Sequence, residues 1–68
     1  MNEIMFIVEE APEGGWIARA LGESICTEAD DIENLHRQVR DAVHCHFEDK
    51  QAPKMIRLHF TREEVLAV

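Results

Sequence analysis

Basic residues are scarce in this sequence. Seven Lys or Arg stand against fourteen Asp or Glu, a formal charge of −7. Such a balance repels phosphate backbones, and no local basic cluster offsets it, so direct binding to DNA or RNA is not expected. It favours approach by a basic protein surface, or simply keeps the chain in solution. Long hydrophobic runs are missing as well. The N-terminal run IMFIV is far too short to span a membrane and is followed by acids. A cytoplasmic location without membrane association is the expectation. Only two cysteines occur, Cys26 and Cys45, with no CxxC spacing, which points to reduced thiols. Glycine is nearly as sparse. No glycine-rich phosphate loop or dinucleotide fingerprint is present, and Gly14–Gly15 reads as a turn.

What is present suits one small domain over residues 1–68. A chain of this length buries roughly 60% of the surface its unfolded form exposes, leaving a thin margin of stability. An apolar content of 46% with 31% charged residues is that of a globular protein. Self-association relieves a small core without a metal or disulfide, so a homo-oligomer is expected.

The longest periodic stretch is Asp31–Glu48. Ile32, Leu35, Val39, Ala42, Val43 and Phe47 recur at spacings of three and four, the pattern of a helix with one buried stripe. Its start carries two candidate caps. Asp30 stands three before Glu33, as in a reciprocal capping box, and Asp31 stands three before Asn34; we place the cap at Asp31. His36, Arg40 and His44 form a polar-to-basic ridge along one margin of the stripe. His46 falls near the centre of the apolar face, which implies a hydrogen-bonded core position, an interface position or a fraying last turn.

Strand patterns flank the helix. Ile4–Glu9 alternates Ile4, Phe6 and Val8 with Met5 and Ile7, so both faces are apolar, as in a central strand. Pro12 and Gly14–Gly15 turn the chain into Trp16–Leu21, expected to return antiparallel. A short third strand over Ser24–Thr27 precedes the helix. Residues 50–53 close the helix, since Pro53 holds its predecessor extended, and Lys54–Phe60 is a later strand. For the last residues, Thr61 and Glu64 spell a capping box, but a terminal edge strand over Glu64–Val68 is preferred because so few residues remain. The fold class is thus α+β, an antiparallel sheet covered by one helix.

Chemistry finds little support. Cys45 sits between His44 and His46, but neighbouring helix residues turn by about 100 degrees and do not converge. No fourth ligand accompanies Cys26 and Cys45, so no metal or cofactor is expected. The Asp30–Asp31 pair serves capping, and Glu63–Glu64 lies near the end of the chain. No enzyme activity is expected.

The order of segments carries a family resemblance. Gly14–Gly15 with Trp16-Ile17-Ala18, Cys26 ahead of the helix, Asp31-Ile32-Glu33-Asn34-Leu35 at its entrance and Arg40-Asp41-Ala42-Val43 further on resemble the HicB-like antitoxin family, over nearly the whole chain. The resemblance implies a β-β-β-α-β unit with a partial ribonuclease-H-like or double-stranded-RNA-binding-like arrangement. It also implies a partner, a small basic ribonuclease toxin of the HicA kind. Many members add a C-terminal helix-turn-helix or ribbon-helix-helix module that binds operator DNA; these 68 residues contain no segment for one, so a short member, either a solitary domain or a partner-only one, is expected. The segment Leu21-Gly22-Glu23-Ser24-Ile25 departs from the Pro/Gly-rich connection of many relatives.

The expected function is therefore that of a noncatalytic antitoxin-like domain that binds and occludes a basic ribonuclease. Glu9, Glu10, Glu13, Glu28 and Asp30 are the candidate partner-binding acids. Trp16, Met55, Val65, Leu66 and Val68 are the candidate oligomer interface, the last three because an apolar tail left free invites strand addition. The alternatives are a solitary oligomeric regulatory domain and a small hydrolase using Cys45 with a nearby histidine.

Overall fold

The alternating residues of the first segment form β1, Glu3–Glu10, with Ile4, Phe6 and Val8 buried on one face and Met5 and Ile7 half-buried on the other. The structure is a computed structural model and describes residues 2–48 and 51–68. Past a turn containing Gly14 and Gly15, both at positive φ, the chain returns as β2, Trp16–Ala20. It reverses again into β3, Cys26–Ala29, then forms α1, Ile32–His46, and β4, Met55–Phe60. No helix among the described residues is long and apolar enough to cross a membrane.

The sheet order is β3-β2-β1-β4. β2 pairs antiparallel with both β1 and β3, whereas β4 pairs parallel with β1. The crossover explains this parallel pair. β3 runs the same way as β1, and α1 carries the chain back along the sheet before β4 starts. Parallel strands need a connection of a dozen or more residues, and the 15-residue α1 provides it. The expected α+β architecture, β-β-β-α-β with one helix across the sheet, is what forms. The parallel edge makes the sheet mixed.

The core lies between α1 and one sheet face. Leu35, Val39 and Val43 give the helix its buried stripe, and Phe47 extends it by one more turn. They meet Ile4, Phe6, Val8, Ala18 and Ile25 from the strands and the β2–β3 connection. Burial of side chains this size stabilises by about 1.5–3 kcal/mol each before conformational entropy is counted. α1 packs most closely on β3 and then β2. Ile56 and Leu58 of β4 are only half-covered as a result.

The cap is at Asp31. Its extended backbone places Oδ1 where the Asn34 N–H donates at 2.7 Å, and Asn34 Nδ2 donates to Oδ2 at 3.0 Å. The helix stops at His46, two residues before the expected end, where the Phe47 N–H still reaches the Val43 carbonyl at 3.1 Å. Of the expected closing turn over residues 50–53, Lys50 lies outside the described residues, as does Asp49.

Two boundaries differ from expectation. The third strand starts at Cys26, not Ser24, because Ala20 N–H donates to the Ile25 carbonyl at 3.0 Å and Ile25 drops into the core. Pairing with β2 begins only at Arg19 opposite Cys26. The expected edge strand over Glu64–Val68 is absent. Thr61 is tied down, its N–H and Oγ1 donating to the Val8 carbonyl at 2.9 and 3.3 Å, but the residues after it are exposed and irregular. A strand needs a neighbour for its ladder, and β1, which pairs with β4 up to Val8 opposite Phe60, runs only two residues further to Glu10, so Glu64–Val68 has no strand beside it.

Candidate functional site

The C-terminal ends of β1 and β3, the start of β2 and the N-terminus of α1 all lie at one end of the sheet. This topology gathers acids that are distant in sequence. Glu9 pairs with Ile17, which pairs in turn with Glu28, so one row crosses three strands on the face opposite α1. Strands sit about 4.8 Å apart, which sets the two carboxylate-bearing positions about 10 Å from each other with a half-buried isoleucine between them.

The remaining candidate acids surround the loop that follows β1. Glu10 ends that strand, and Glu13 lies in the turn closed by Ala11 N–H to the Gly15 carbonyl at 3.0 Å. Two shallow hollows share the Ala11–Pro12 ridge. Glu13, Glu28 and Asp30 line one of 530 Å³ with Trp16, Asn34 and Gln38. Glu9 and Glu10 line the other, also 530 Å³, with Ile17, Arg19 and Arg62. All five acids named from the sequence thus belong to one end of the molecule, divided by a single ridge. Each is exposed. Unlike buried acids, they retain their hydration and act by attraction at a distance.

The candidate interface residues come from three parts of the fold, β2, β4 and the tail. Trp16 packs edge-on against Phe60 within its own chain, with ring centroids 5.6 Å apart at 81°. Met55 stands exposed at the start of β4, and Val65, Leu66 and Val68 lie on the tail. The sheet face opposite α1 carries half-buried Met5, Ile7 and Ile17, with exposed Leu21 and Arg19 around them.

The three consecutive residues at the helix end diverge. His44 lines a groove beside β4, Cys45 is exposed, and His46 Nε2 turns 2.8 Å from Glu23 Oε1 while its ring stands edge-on to Phe47. His46 therefore anchors the β2–β3 connection to the helix end from an exposed position, not from inside the core. Cys26 and Cys45 are both free thiols. Among the described residues no three His, Cys, Asp or Glu side chains are grouped to hold a metal ion.

One concavity was not visible in the strand patterns alone. A groove of 420 Å³ runs between α1 and β4, with Val39, Val43, Ile56 and Leu58 in it. The signal available for it was the helical connection into β4. That connection places β4 on the far edge of the sheet from β3, away from the helix that packs there.

A UPF0150 protein of Archaeoglobus fulgidus is 50% identical to the chain over 55 residues, covering 81% of this chain and 82% of that protein. A UPF0150 protein of Thermotoga maritima is 41% identical over 67 residues, 98% of this chain and 94% of that one. The chain belongs to the UPF0150 family. The Thermotoga UPF0150 relative matches nearly end to end, so the similarity takes in the acidic end, the helix and β4 together. No family model matches the chain, and no solved structure matches it.

Proposed function

We propose that this UPF0150 protein is a noncatalytic antitoxin-like domain that binds a small basic ribonuclease and covers its RNA-binding or catalytic surface. The observation that carries the reading is the convergence of Glu9, Glu10, Glu13, Glu28 and Asp30 on one end of the sheet, next to half-buried Ile17 and Trp16. Carboxylates about 10 Å apart suit the charges of a cationic nucleic-acid site, and the apolar residues among them supply contact area once water leaves. The ordered resemblance to HicB-like antitoxins supports the choice of a ribonuclease among basic partners.

The test is co-purification of the full chain from its native cell at low and moderate salt, followed by a ribonuclease assay on whatever basic protein is recovered. The expected result is a ribonuclease whose activity falls as the chain is added in equal amount. Replacing Glu9, Glu10 and Glu28 together by Gln should slow association about tenfold or more at low salt, and much less at high salt. Recovery of no basic ribonuclease, or inhibition indifferent to those three carboxylates, overturns the reading.

A second reading, a solitary oligomeric regulatory domain, draws on the exposed apolar tail. It predicts self-association with no basic partner and no toxin-like coding sequence beside its gene.

A further inference from the structure

The groove between α1 and β4 contrasts with the acidity of the protein as a whole. Val39 and Val43 of the helix and Ile56 and Leu58 of the strand make it apolar. Its rim carries Arg40 and Lys54, with His36 and His44 one turn either side of Arg40, and no carboxylate lines it among the described residues. The ridge of His36, Arg40 and His44 thus becomes one wall of a cleft. Among the described residues the outer edge of β4 is also unpaired, as β4 ends the sheet. An edge with free backbone groups beside an apolar, basic-rimmed cleft suits an extended segment that carries acids and aliphatic side chains.

The chain itself contains such a segment. Glu63 and Glu64 precede Val65, Leu66 and Val68, and Val65 and Leu66 are 94% and 82% exposed. The described residues measure 52 × 19 × 17 Å, whereas the eight-residue β1 spans only about 27 Å. The tail therefore projects well past the sheet. We propose that residues 63–68 of one copy occupy the α1–β4 groove of a second copy, and that the exchange is reciprocal.

Geometry favours a second copy over the same one. The tail leaves at the Phe60 end of β4, while the groove extends to Lys54 at the other end. Return within one chain requires a tight reversal directly after Thr61, which is fixed to the Val8 carbonyl. Arg62 and Glu63 would occupy that turn. Two-residue hairpins demand positive φ, the preference of Gly, Asn and Asp, and neither residue is of that kind. Two copies set side by side with their β4 edges antiparallel need no reversal. Each tail then simply continues its strand along the partner's edge. Five residues of extended chain cover about 17 Å, and the groove edge from Lys54 to Leu58 is also five residues long. Antiparallel pairing brings Glu63 and Glu64 to the Leu58 end of the groove, toward His36 and Arg40 on its rim, and Val65, Leu66 and Val68 supply aliphatic groups to an aliphatic floor.

The test uses the full chain. Light scattering across a concentration series should show a dimer, and Leu66→Asp should raise its dissociation constant by about tenfold or more with unchanged far-ultraviolet circular dichroism. The rim variant Arg40→Glu should weaken it likewise, and adding Glu63→Lys and Glu64→Lys to that variant should restore much of the loss. In a mixture of isotope-labelled and unlabelled chains, isotope-filtered nuclear Overhauser contacts are expected from the Leu66 methyls to Val39 or Val43 across copies. A monomer at all concentrations overturns the proposal, as does a dimer indifferent to Leu66→Asp. Leu66 contacts confined to its own chain overturn the second-copy assignment. The acidic end that supports the ribonuclease reading is untouched by the Leu66 variant, so ribonuclease inhibition by Leu66→Asp separates failure of one proposal from failure of the other.

Discussion

The guanidinium of Arg57 donates two hydrogen bonds to the carboxylate of Glu3, from Nε at 2.9 Å and from Nη2 at 3.0 Å, across 54 positions of sequence. The fork joins the first strand to the last on the sheet face opposite the helix. Hydrogen bonding by Arg57, opposed by desolvation and aided by the charge of Arg57, holds the Glu3 carboxyl below its usual range. A carboxylate depressed on folding stabilises fully above its unfolded value, and that stability disappears as pH falls through the folded one. Arg57 is shifted upward by the same pair, which affects stability only in strong alkali. Thermal melting of wild type and Glu3→Gln should therefore differ near neutral pH and converge as the pH falls through the lowered value of the folded Glu3 carboxyl. Both groups are exposed, so high salt should shrink the neutral difference too. A difference that persists in acid would show that Glu3 acts by packing, not charge.

The interior contributes far more to stability than this surface fork. Leu35 is fully buried between the helix and the sheet, and Leu35→Ala should cost about 2–5 kcal/mol through lost burial and the cavity left behind. A 68-residue chain has about 3–10 kcal/mol in total at the usual stability per residue, so this one change removes a large share. Leu21 is 57% exposed, and Leu21→Ala should cost less than about 1 kcal/mol. Urea titration followed by circular dichroism measures both. Equal losses would contradict the assigned core.

Two adjacent glycines separate backbone strain from crowding. Gly14 and Gly15 both have positive φ, so alanine at either is strained by about 1–2 kcal/mol. Around Gly14 there is open space, but a Cβ on Gly15 would stand 2.8 Å from the Ala29 carbonyl oxygen, part of the backbone of β3. Gly15→Ala should be clearly the worse of the two and should loosen the β2–β3 edge. Denaturant midpoints rank the pair, and amide exchange at Thr27 and Ala29, whose N–H groups face β2, reports the edge.

Periodicity made the helix stripe readable, and Leu35, Val39 and Val43 are its buried positions. Alternation made β1 readable, down to the faces of Phe6 and Ile7. Local pattern did not determine the direction of β4, because Ile56 and Leu58 alternate identically in a parallel or an antiparallel strand. The crossover decides that, and it is a property of the whole chain. The same limit hid the groove, whose walls at Val39 and Ile56 are brought together only by topology. Valines at the end of the chain suggested a strand, yet side-chain preference cannot form a ladder without a neighbouring edge. The candidate acids were chosen by charge, and their assembly at one end follows from the register Glu9–Ile17–Glu28, which no single segment encodes.

The helix start offers a last discrimination, between two aspartates side by side. Asp30 with Glu33 has the spacing of a reciprocal box, but the bonds run from Asn34 to Asp31, through the backbone N–H at 2.7 Å and the side-chain amide at 3.0 Å. Asp31→Ala removes the acceptor and leaves a first-turn N–H without its protein partner, so a loss of about 1 kcal/mol is expected. Asp31→Asn keeps an acceptor for the backbone and should retain most of that stability, losing the charge that favours the helix N-terminus. Asn34→Ala gives up only the side-chain bond and should be milder than Asp31→Ala. Asp30→Ala should change stability by less than about 0.5 kcal/mol. If urea midpoints instead fell more for Asp30→Ala than for Asp31→Ala, the helix would be entered one residue earlier, and the cap assigned to Asp31 would be wrong.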